Sequence, residues 1–371
     1  MRMQAYCTHA PGLPPYNASG EKLITPKPAA SQVLVKILYA SLSPGAIIMA
    51  ALFPGFLHTY PSIQELDFAG VVVCLGEDAR PPVKTMPEGF LELDGFKCGE
   101  YVFGSVSVGQ HLKGVGSLAQ YVAIDTCQIA HVPGSKTPDR QRLSEQEMAE
   151  AASLPVSGCT ALTLLHAAQL LPGMSVLVNG ASGGVGTLIL QLAKHAVGDS
   201  GKVTAVCSSR NVGLVKALGA NEVVAYDAPS TDFGIGVDLI GVCTRRGADP
   251  GITDGRFDVV LDAVGKQEIW HNCSSILKEN GAYVTVGPGA QAWTRMALLK
   301  TLGQMAGNIL TPTWLGGVGR RYIQVASTVG KKDLLELKGL VEEGVLTGVV
   351  EKTFGWHAAD IVEVSDAAFH F

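Results

Sequence analysis

No two of the eight cysteines (Cys7, Cys74, Cys98, Cys127, Cys159, Cys207, Cys243 and Cys273) stand in a C-x-x-C pair. That scatter excludes a disulfide framework and a zinc knuckle. Most lie in apolar runs such as VVVCLG and VTAVCSS, where cysteine acts as a small buried hydrophobe. Also lacking is any apolar run of the roughly 18 to 20 residues that cross a bilayer. The opening MRMQAYCTHAPG has neither the apolar core of a signal peptide nor an Arg-rich amphipathic pattern. The expectation is a cytoplasmic protein with no membrane partner. A basic stripe is missing too: 28 Lys and Arg are scattered among 33 Asp and Glu, net charge -5, which excludes nucleic acid as a partner. No internal repeat or low-complexity tract occurs.

What is present is apolar mass. With 47% hydrophobic and 16% charged residues the chain can bury a large core. Its 371 residues exceed the roughly 250 to 300 at which single cores stop growing, so two domains are expected. The first third is β-rich: Val33–Leu42, Gly70–Gly76, Glu100–Val106 and Gln120–Ile124 are short apolar or alternating runs punctuated by Gly and Pro. Between Ala79 and Gly99 the Pro- and Lys-bearing composition predicts a surface loop. At Ser144 the pattern turns helical, because Glu147 stands three residues on and completes a capping box. From Ser175 strand-like and helix-like runs alternate: SVLVN, TLILQLAKHA, KVTAVC, GLVKALG, EVVAY, FDVVLDAVG and GAYVTVG. That alternation predicts an α/β fold with a parallel, doubly wound sheet. The apolar segment TRMALLKTLGQMAGNILTPTWLGG reads as a buried core helix, ahead of a pocket wall or a subunit interface.

The strongest motif is VLVNGASGGVG, Val176 to Gly186, between a predicted strand and the helical run TLILQLAKHA. A strand, a glycine turn and a helix N-terminus together make a pyrophosphate site. Gly183 lets the backbone approach the phosphates, and Gly186 lets the helix pack on the strand. Ala181 stands at the usual first glycine, so the match is A-x-G-x-x-G, with Ser182, Gly184 and Val185 completing the loop. At the end of the next strand, where an NAD enzyme places Asp or Glu on the ribose, the sequence is CSSRN. Ser208, Ser209 and Arg210 suit a 2′-phosphate, and no carboxylate in that run repels it, so NADPH is the expected cofactor. Tyr226 is placed near the same adenosine end or, equally, as a plain strand aromatic.

These residues resemble the medium-chain dehydrogenase/reductase superfamily, on its zinc-independent side with quinone oxidoreductases and enoyl reductases. The likeness covers most of the chain: QVLVKILYASLSPGAI, ELDFAGVVV, GSLAQYVAID, SLPVSGCTALTLL, VNGASGGVG, VKALGANEVVAYD, FDVVLDAVG and GAYVTVGPG follow in the family's order. CSSRN with GLVKALGA is most similar to the trans-acting enoyl reductases that serve polyketide synthases. The resemblance implies a GroES-like β domain, residues 1–140, an inserted Rossmann NADPH-binding domain, residues 141–310, and a return to the β domain over residues 311–371, with the active site in the cleft. It further implies that Ser43, Pro44, Gly45, Ala46 and Thr160 line the nicotinamide end and that Ser182 to Val185 hold the phosphates. Ser208 to Asn211 with Tyr226 would hold the adenosine phosphate. Val264 and Gly265 would form a loop beside the nicotinamide, with Gly287 after the next strand. A monomer or homodimer is implied.

Departures from the family pattern bear on the chemistry. A zinc alcohol dehydrogenase needs a His in a G-H-E segment and often a four-Cys lobe; here Glu65, Leu66 and Asp67 fill the first and only Cys98 stands in the second. His58, His111, His131 and His166 have no motif partner and read as structural or surface residues, so no metal is expected. The family's Asn is Ser43, its Asp is Ala46, and the Tyr of some enoyl reductases has no counterpart, so no catalytic acid is assigned. The chain ends at DAAFHF where family members run on to a last strand, which implies a truncated product or another packing for Trp356 to Phe371. The expected activity is reduction of an activated C=C bond, in a small or carrier-bound acyl substrate, or of a quinone. The competing reading is an NADPH-binding protein of low intrinsic activity acting as a structural or synthase-partner module.

Overall fold

The computed structural model describes residues 1–9, 19–43, 58–79, 95–135, 143–227, 257–287, 295–310 and 317–356. The chain forms two compact units, Met1–Cys159 with Thr328–Phe371, and Thr160–Ser327. In the first, β1 (Arg2–Thr8) pairs antiparallel with β2 (Ser19–Ile24). Next come β3 (Gln32–Ala40), β4 (Ser62–Ile63), which also pairs with β1, and β5 (Asp67–Leu75). β6 (Tyr101–Ser105), β7 (Tyr121–Asp125) and β8 (Ile129–His131) complete an antiparallel five-stranded sheet in the order β7-β3-β5-β6-β8. Alternation decides which side faces in: Val33 and Val35 are fully buried while Lys36 is exposed. Their core partners are Phe68, Val72, Val102, Ile124 and Ile129.

Two expectations for this unit are corrected. The end of the predicted surface loop is core: Phe96 is buried and stacks on the His131 ring at 4.8 Å, although residues 80–94 lie outside the described ones. A lone aromatic among polar residues goes inside because its area outweighs the loop composition around it. Cys74, in the VVVCLG run, is exposed, as are Cys98 and Cys127; Cys7, Cys159, Cys207 and Cys273 are buried, and Cys243 lies outside the described residues. Composition does not show the register shift between Leu34 and Val35, where Val72 and Cys74 pair with consecutive residues of β3 and the extra residue Val73 breaks the alternation, leaving Val73 and Cys74 both exposed.

Ser144 caps α1 (Glu145–Ser153): its hydroxyl accepts from the Glu147 amide, and its own amide donates to Glu147 Oε2 at 2.8 Å. The helix α2 (Pro155–Ala168) follows, and the division between units falls within it.

The second unit is a six-stranded parallel sheet. β9 (Ser175–Asn179), α3 (Gly184–Val197), β10 (Lys202–Cys207), α4 (Val212–Ala217) and β11 (Glu222–Ala225) step outward in one direction. The chain then returns to the other side of β9 with β12 (Phe257–Asp262) and β13 (Leu277–Thr285). After α5 (Arg295–Leu310) comes β14 (Arg321–Gln324), giving the order β11-β10-β9-β12-β13-β14. This is the doubly wound arrangement, and its direction reverses between β9 and β12. β9 is apolar and buried from Val176 to Val178 because a parallel strand in the middle of such a sheet is covered on both faces. Trp270, Tyr283 and Tyr322 pack as an aromatic group with ring centroids 4.7 to 5.9 Å apart. The segment expected as a core helix is α5; none of its side chains described between Lys300 and Leu310 is buried and Leu310 is 75% exposed, while the side chains of 295–299, 302 and 309 lie outside the described residues.

The chain then rejoins the first unit through α6 (Lys331–Glu342). Leu334 and Leu337 are its buried anchors, Lys331 Nζ donates to the Ile129 carbonyl at 2.9 Å, and Glu342 accepts from the Gly134 amide. Further on, Trp356 sets its ring edgewise on Tyr6 of β1 at 5.2 Å, while residues 357–371 lie outside the described ones. The Leu337 side chain presses on the Cα of Gly158 so closely that a Cβ there would sit 2.7 Å from it. Truncating it in Leu337→Ala leaves a cavity on that face and is expected to lower stability by about 2–5 kcal/mol, read as a shift in the denaturation midpoint.

Candidate functional site

The carboxyl ends of β9, β10, β11 and β12 lie at the reversal of the second unit's sheet, the place where doubly wound folds bind ligands. After Asn179 the chain turns through Gly180, whose φ of +73° is left-handed, so the tight turn uses Gly180 and not the following Ala181. Ala181 is fully buried and donates its amide to the Val206 carbonyl. Gly183 is the N-cap of α3 and offers no side chain to the helix start. The first-turn amides of Gly184, Val185 and Gly186 therefore point out of the helix end without a cap. With the helix dipole behind them they form an anion site. Gly186 is required by contact: a Cβ on it would lie 1.9 Å from the Gly180 carbonyl oxygen. A Cβ on Gly183 would meet nothing closer than 3.5 Å, which leaves its outer side open to a phosphate.

At the next strand end, Ser208 is buried and Ser209 and Arg210 are exposed. Asn211 Nδ2 donates to Ser182 Oγ at 3.0 Å and ties this corner to the glycine turn. Tyr226 follows β11, donates its amide to the Cys207 carbonyl, and leaves its ring 48% exposed. Two further groups meet there that the linear motif does not contain. The Asp227 carboxylate accepts the Ser209 amide at 2.6 Å, so an acid absent from CSSRN arrives from the neighbouring strand. Lys266, from beyond β12, holds its Nζ 5.5 Å from the centre of the Tyr226 ring.

The third piece is held by Asp262, a fully buried carboxylate at the end of β12. Its Oδ1 accepts from Asn179 Nδ2 and from the amides of Val264 and Gly265 at 2.8 to 3.0 Å, and its Oδ2 accepts from the Lys266 amide at 3.1 Å. The Tyr283 hydroxyl donates to Oδ2 as well; burial, then the Asp262 charge, push its pKa far up and keep it a donor. So many donors compensate the desolvation of an ionised group. The consequence is a fixed Val264–Gly265 loop against Gly180, where a Cβ would touch Val264 at 2.4 Å. Gly287, after β13, is buried at φ +106° with its amide on Thr285 Oγ1.

Of the residues expected at the nicotinamide end, Thr160 is partly buried on α2, and Pro44, Gly45 and Ala46 lie outside the described residues. Ser43 is described in the first unit, where its amide donates to Glu65 Oε2 at 3.0 Å. Glu65 is buried with a left-handed φ of +61°, an uncommon backbone for a residue other than glycine. Burial raises its pKa to about 8, against a lowering by the Ser43 amide. Asp67 beside it is raised to about 7, again by burial, with the Ser105 hydroxyl and the Val156 amide pulling the other way. His131 bonds Glu100 at 2.9 Å, and His111 bonds the Val115 carbonyl at 3.2 Å. Among the described residues no group of three or more His, Cys, Asp or Glu could hold a metal ion.

Sequence reasoning missed Asn179, Asp262, Asp227 and Lys266. The LDAVG run carried a signal for Asp262, an acid closing an apolar strand before small residues. The other three depend on which strands are neighbours.

Comparison with known proteins places this architecture among characterised ones. A family of zinc-binding dehydrogenases matches residues 218–361. Trans-enoyl reductase pgmF of Aspergillus terreus is 30% identical over 335 residues, 87% of this chain and 79% of that protein. A chloroplastic NADPH-dependent alkenal/one oxidoreductase of Arabidopsis thaliana is 31% identical over 267 residues, 71% of this chain and 57% of that protein. The solved quinone oxidoreductase of Coxiella burnetii shares the fold, with a TM-score of 0.70 at 24% identity across 99% of this chain and 96% of that one.

Gly186→Ala forces the start of α3 away from Gly180 and is expected to cost about 1–3 kcal/mol of stability and to abolish dinucleotide binding, read by melting and by titration with the reduced cofactor. A second expectation concerns pH. Glu65 keeps its proton in the folded state to about pH 8, well above its value in the unfolded chain, so the folded state binds more protons in between. Stability contributed by this group is full below the ordinary carboxylate range and is lost as pH rises through about 8. Glu65→Gln should flatten that decline, measured as denaturation midpoints from about pH 5 to about pH 9.

Proposed function

The chain belongs to the medium-chain dehydrogenase/reductase superfamily, on its enoyl and quinone reductase branch, and is an oxidoreductase that uses a nicotinamide cofactor; we propose that this cofactor is NADPH, that no zinc takes part, and that the substrate is an activated C=C bond or a quinone. The observation that carries the cofactor choice is the Ser208-Ser209-Arg210 corner at the end of β10. An acid that selects NAD would stand there and accept the ribose hydroxyls. Asp227 comes instead from the end of β11 and is engaged by the Ser209 amide. The name of the Arabidopsis relative, NADPH-dependent, supports the same choice.

The amides of Gly184, Val185 and Gly186 fit a pyrophosphate, because nothing lies closer than 3.5 Å to a Cβ placed on Gly183 and the cradle is open on that side. When bound, the reduced nicotinamide supplies a hydride to the β-carbon of an enoyl or enone group, or to a quinone. The chain's own residues bind and orient the reactants. Ser43 to Ala46, Thr160, Val264, Gly265 and Gly287 are the proposed nicotinamide contacts, and the Asp262 bonds hold Val264 and Gly265 in place for it. Backbone amides polarise the carbonyl oxygen as charge develops on it. Protonation of the resulting enolate is left to water.

Zinc independence rests on the donor set. Glu65, Leu66 and Asp67 stand where a ligating His would be, and Asp67 is committed to the Val156 amide. The name of pgmF, trans-enoyl reductase, supports an enoyl substrate, and the likeness of CSSRN with GLVKALGA to trans-acting enoyl reductases supports a carrier-bound acyl group presented by a polyketide synthase. Among the described residues no single helix is long and apolar enough to cross a membrane. A cytoplasmic monomer or homodimer completes the reading.

The test is oxidation of NADPH and NADH by the purified protein against quinones, enals, enones and acyl thioesters. Expected is turnover of an activated alkene or quinone, with NADPH preferred by about tenfold or more and no loss on treatment with a chelator. Preference for NADH overturns the cofactor assignment. Activity removed by chelator and restored by zinc overturns the zinc assignment. Binding of NADPH without turnover of any substrate class overturns the substrate assignment in favour of a partner module.

A further inference from the structure

The Lys266 side chain crosses the line where the sheet reverses. Its backbone belongs to the loop after β12, on one side of β9, with the amide fixed to Asp262 Oδ2 at 3.1 Å. Its ammonium lies 5.5 Å from the centre of the Tyr226 ring, which follows β11 on the opposite side of β9. The register of β10 and β11 sets Cys207 beside Ala225, and the Tyr226 amide bonds the Cys207 carbonyl. Ser208 and Tyr226 are therefore neighbours across the two strand ends, as are Ser209 and Asp227 through their 2.6 Å bond. A lysine that reaches this corner from another loop is held there by the electron-rich ring face. Lys266 is exposed, and among the described residues no carboxylate pairs with it.

We propose that Lys266 is a specificity-determining residue: its ammonium, seated on Tyr226 opposite the Ser208-Ser209-Arg210 corner, contacts the 2′-phosphate of NADPH. This rests on the NADPH reading above. The charges give the reason. A 2′-phosphate is close to doubly negative at neutral pH, and the nearby Asp227 carboxylate offsets the single charge of Arg210. With Arg210 alone the corner is neutral; with Lys266 it carries a net positive charge and favours the phosphorylated cofactor. The ammonium also serves as a mobile point charge where the guanidinium of Arg210 supplies a planar fork, so the two do not compete for one geometry. Because the loop carrying Lys266 is anchored by Asp262, the lysine stem starts from a fixed point, and only its side-chain rotamers are ordered on binding.

The experiment measures dissociation constants of the full chain for NADPH and NADH by fluorescence titration, with wild type, Lys266→Gln and Lys266→Arg. Adenosine 2′,5′-bisphosphate and AMP serve as probes that lack the nicotinamide. In Lys266→Gln the preference for NADPH over NADH should fall by about tenfold, the scale of one charge-assisted contact. The preference for adenosine 2′,5′-bisphosphate over AMP should fall in parallel, and Lys266→Arg should restore most of both. A wild type that prefers NADPH and a Lys266→Gln variant that prefers it equally would sink the lysine assignment and leave the NADPH reading standing. Equal weakening of both members of each pair would likewise overturn it, since the lysine would then serve the loop or the shared adenosine. A wild type that binds NADPH no more tightly than NADH overturns the NADPH reading itself, before any variant is compared.

Discussion

The carboxylate of Asp262 is buried at the end of β12, and the loop that follows that strand depends on what it accepts. One oxygen takes the side chain of Asn179 from the end of β9 and the amides of Val264 and Gly265; the other takes the Lys266 amide and the Tyr283 hydroxyl. These bonds join the two strands between which the sheet reverses, fix the loop that follows, and reach the aromatic group of Trp270, Tyr283 and Tyr322. A buried charge costs several kcal/mol unless it is met by donors, so the loop is favoured in the arrangement that supplies them. The position of Val264 against Gly180 follows from that arrangement, and so does the starting point of the Lys266 stem.

Function builds on this frame by simple electrostatics. The start of α3 presents uncapped amides at one point and the corner after β10 and β11 presents cations at another, with the Asn211 to Ser182 bond between them. That pair of features is what the NADPH proposal rests on. In the first unit the buried acids Glu65 and Asp67 play a different part: both have raised pKa values, and their hydrogen bonds hold the Ser43 and Val156 amides. Glu65 stands at a left-handed φ, and its side chain turns inward to accept the Ser43 amide.

Much of the fold was legible because it depends on local patterns. The Ser144 to Glu147 capping box, the strand and helix alternation from Ser175, and the glycine turn ahead of α3 are encoded by neighbours in sequence. The misreadings share a cause. Polar neighbours point Phe96 to a surface loop and apolar ones point Cys74 to the interior, and the structure reverses both. Each reading averages over a window and so loses the direction in which one side chain points.

By itself the sequence determined the class of the protein: an α/β oxidoreductase chain with a glycine turn and helix start at Gly180 to Gly186 and a serine and arginine corner at Ser208 to Arg210. Those are contiguous segments whose geometry is fixed by local backbone sterics. Only the tertiary structure decided which distant groups share the corner. Asp227 and Lys266 lie 17 and 56 residues beyond Arg210, and they meet there because the strand order places β11 beside β10 and returns β12 to the far side of β9. Strand order comes from burying both faces of the sheet at once, a property of the whole domain that no local stretch of sequence carries.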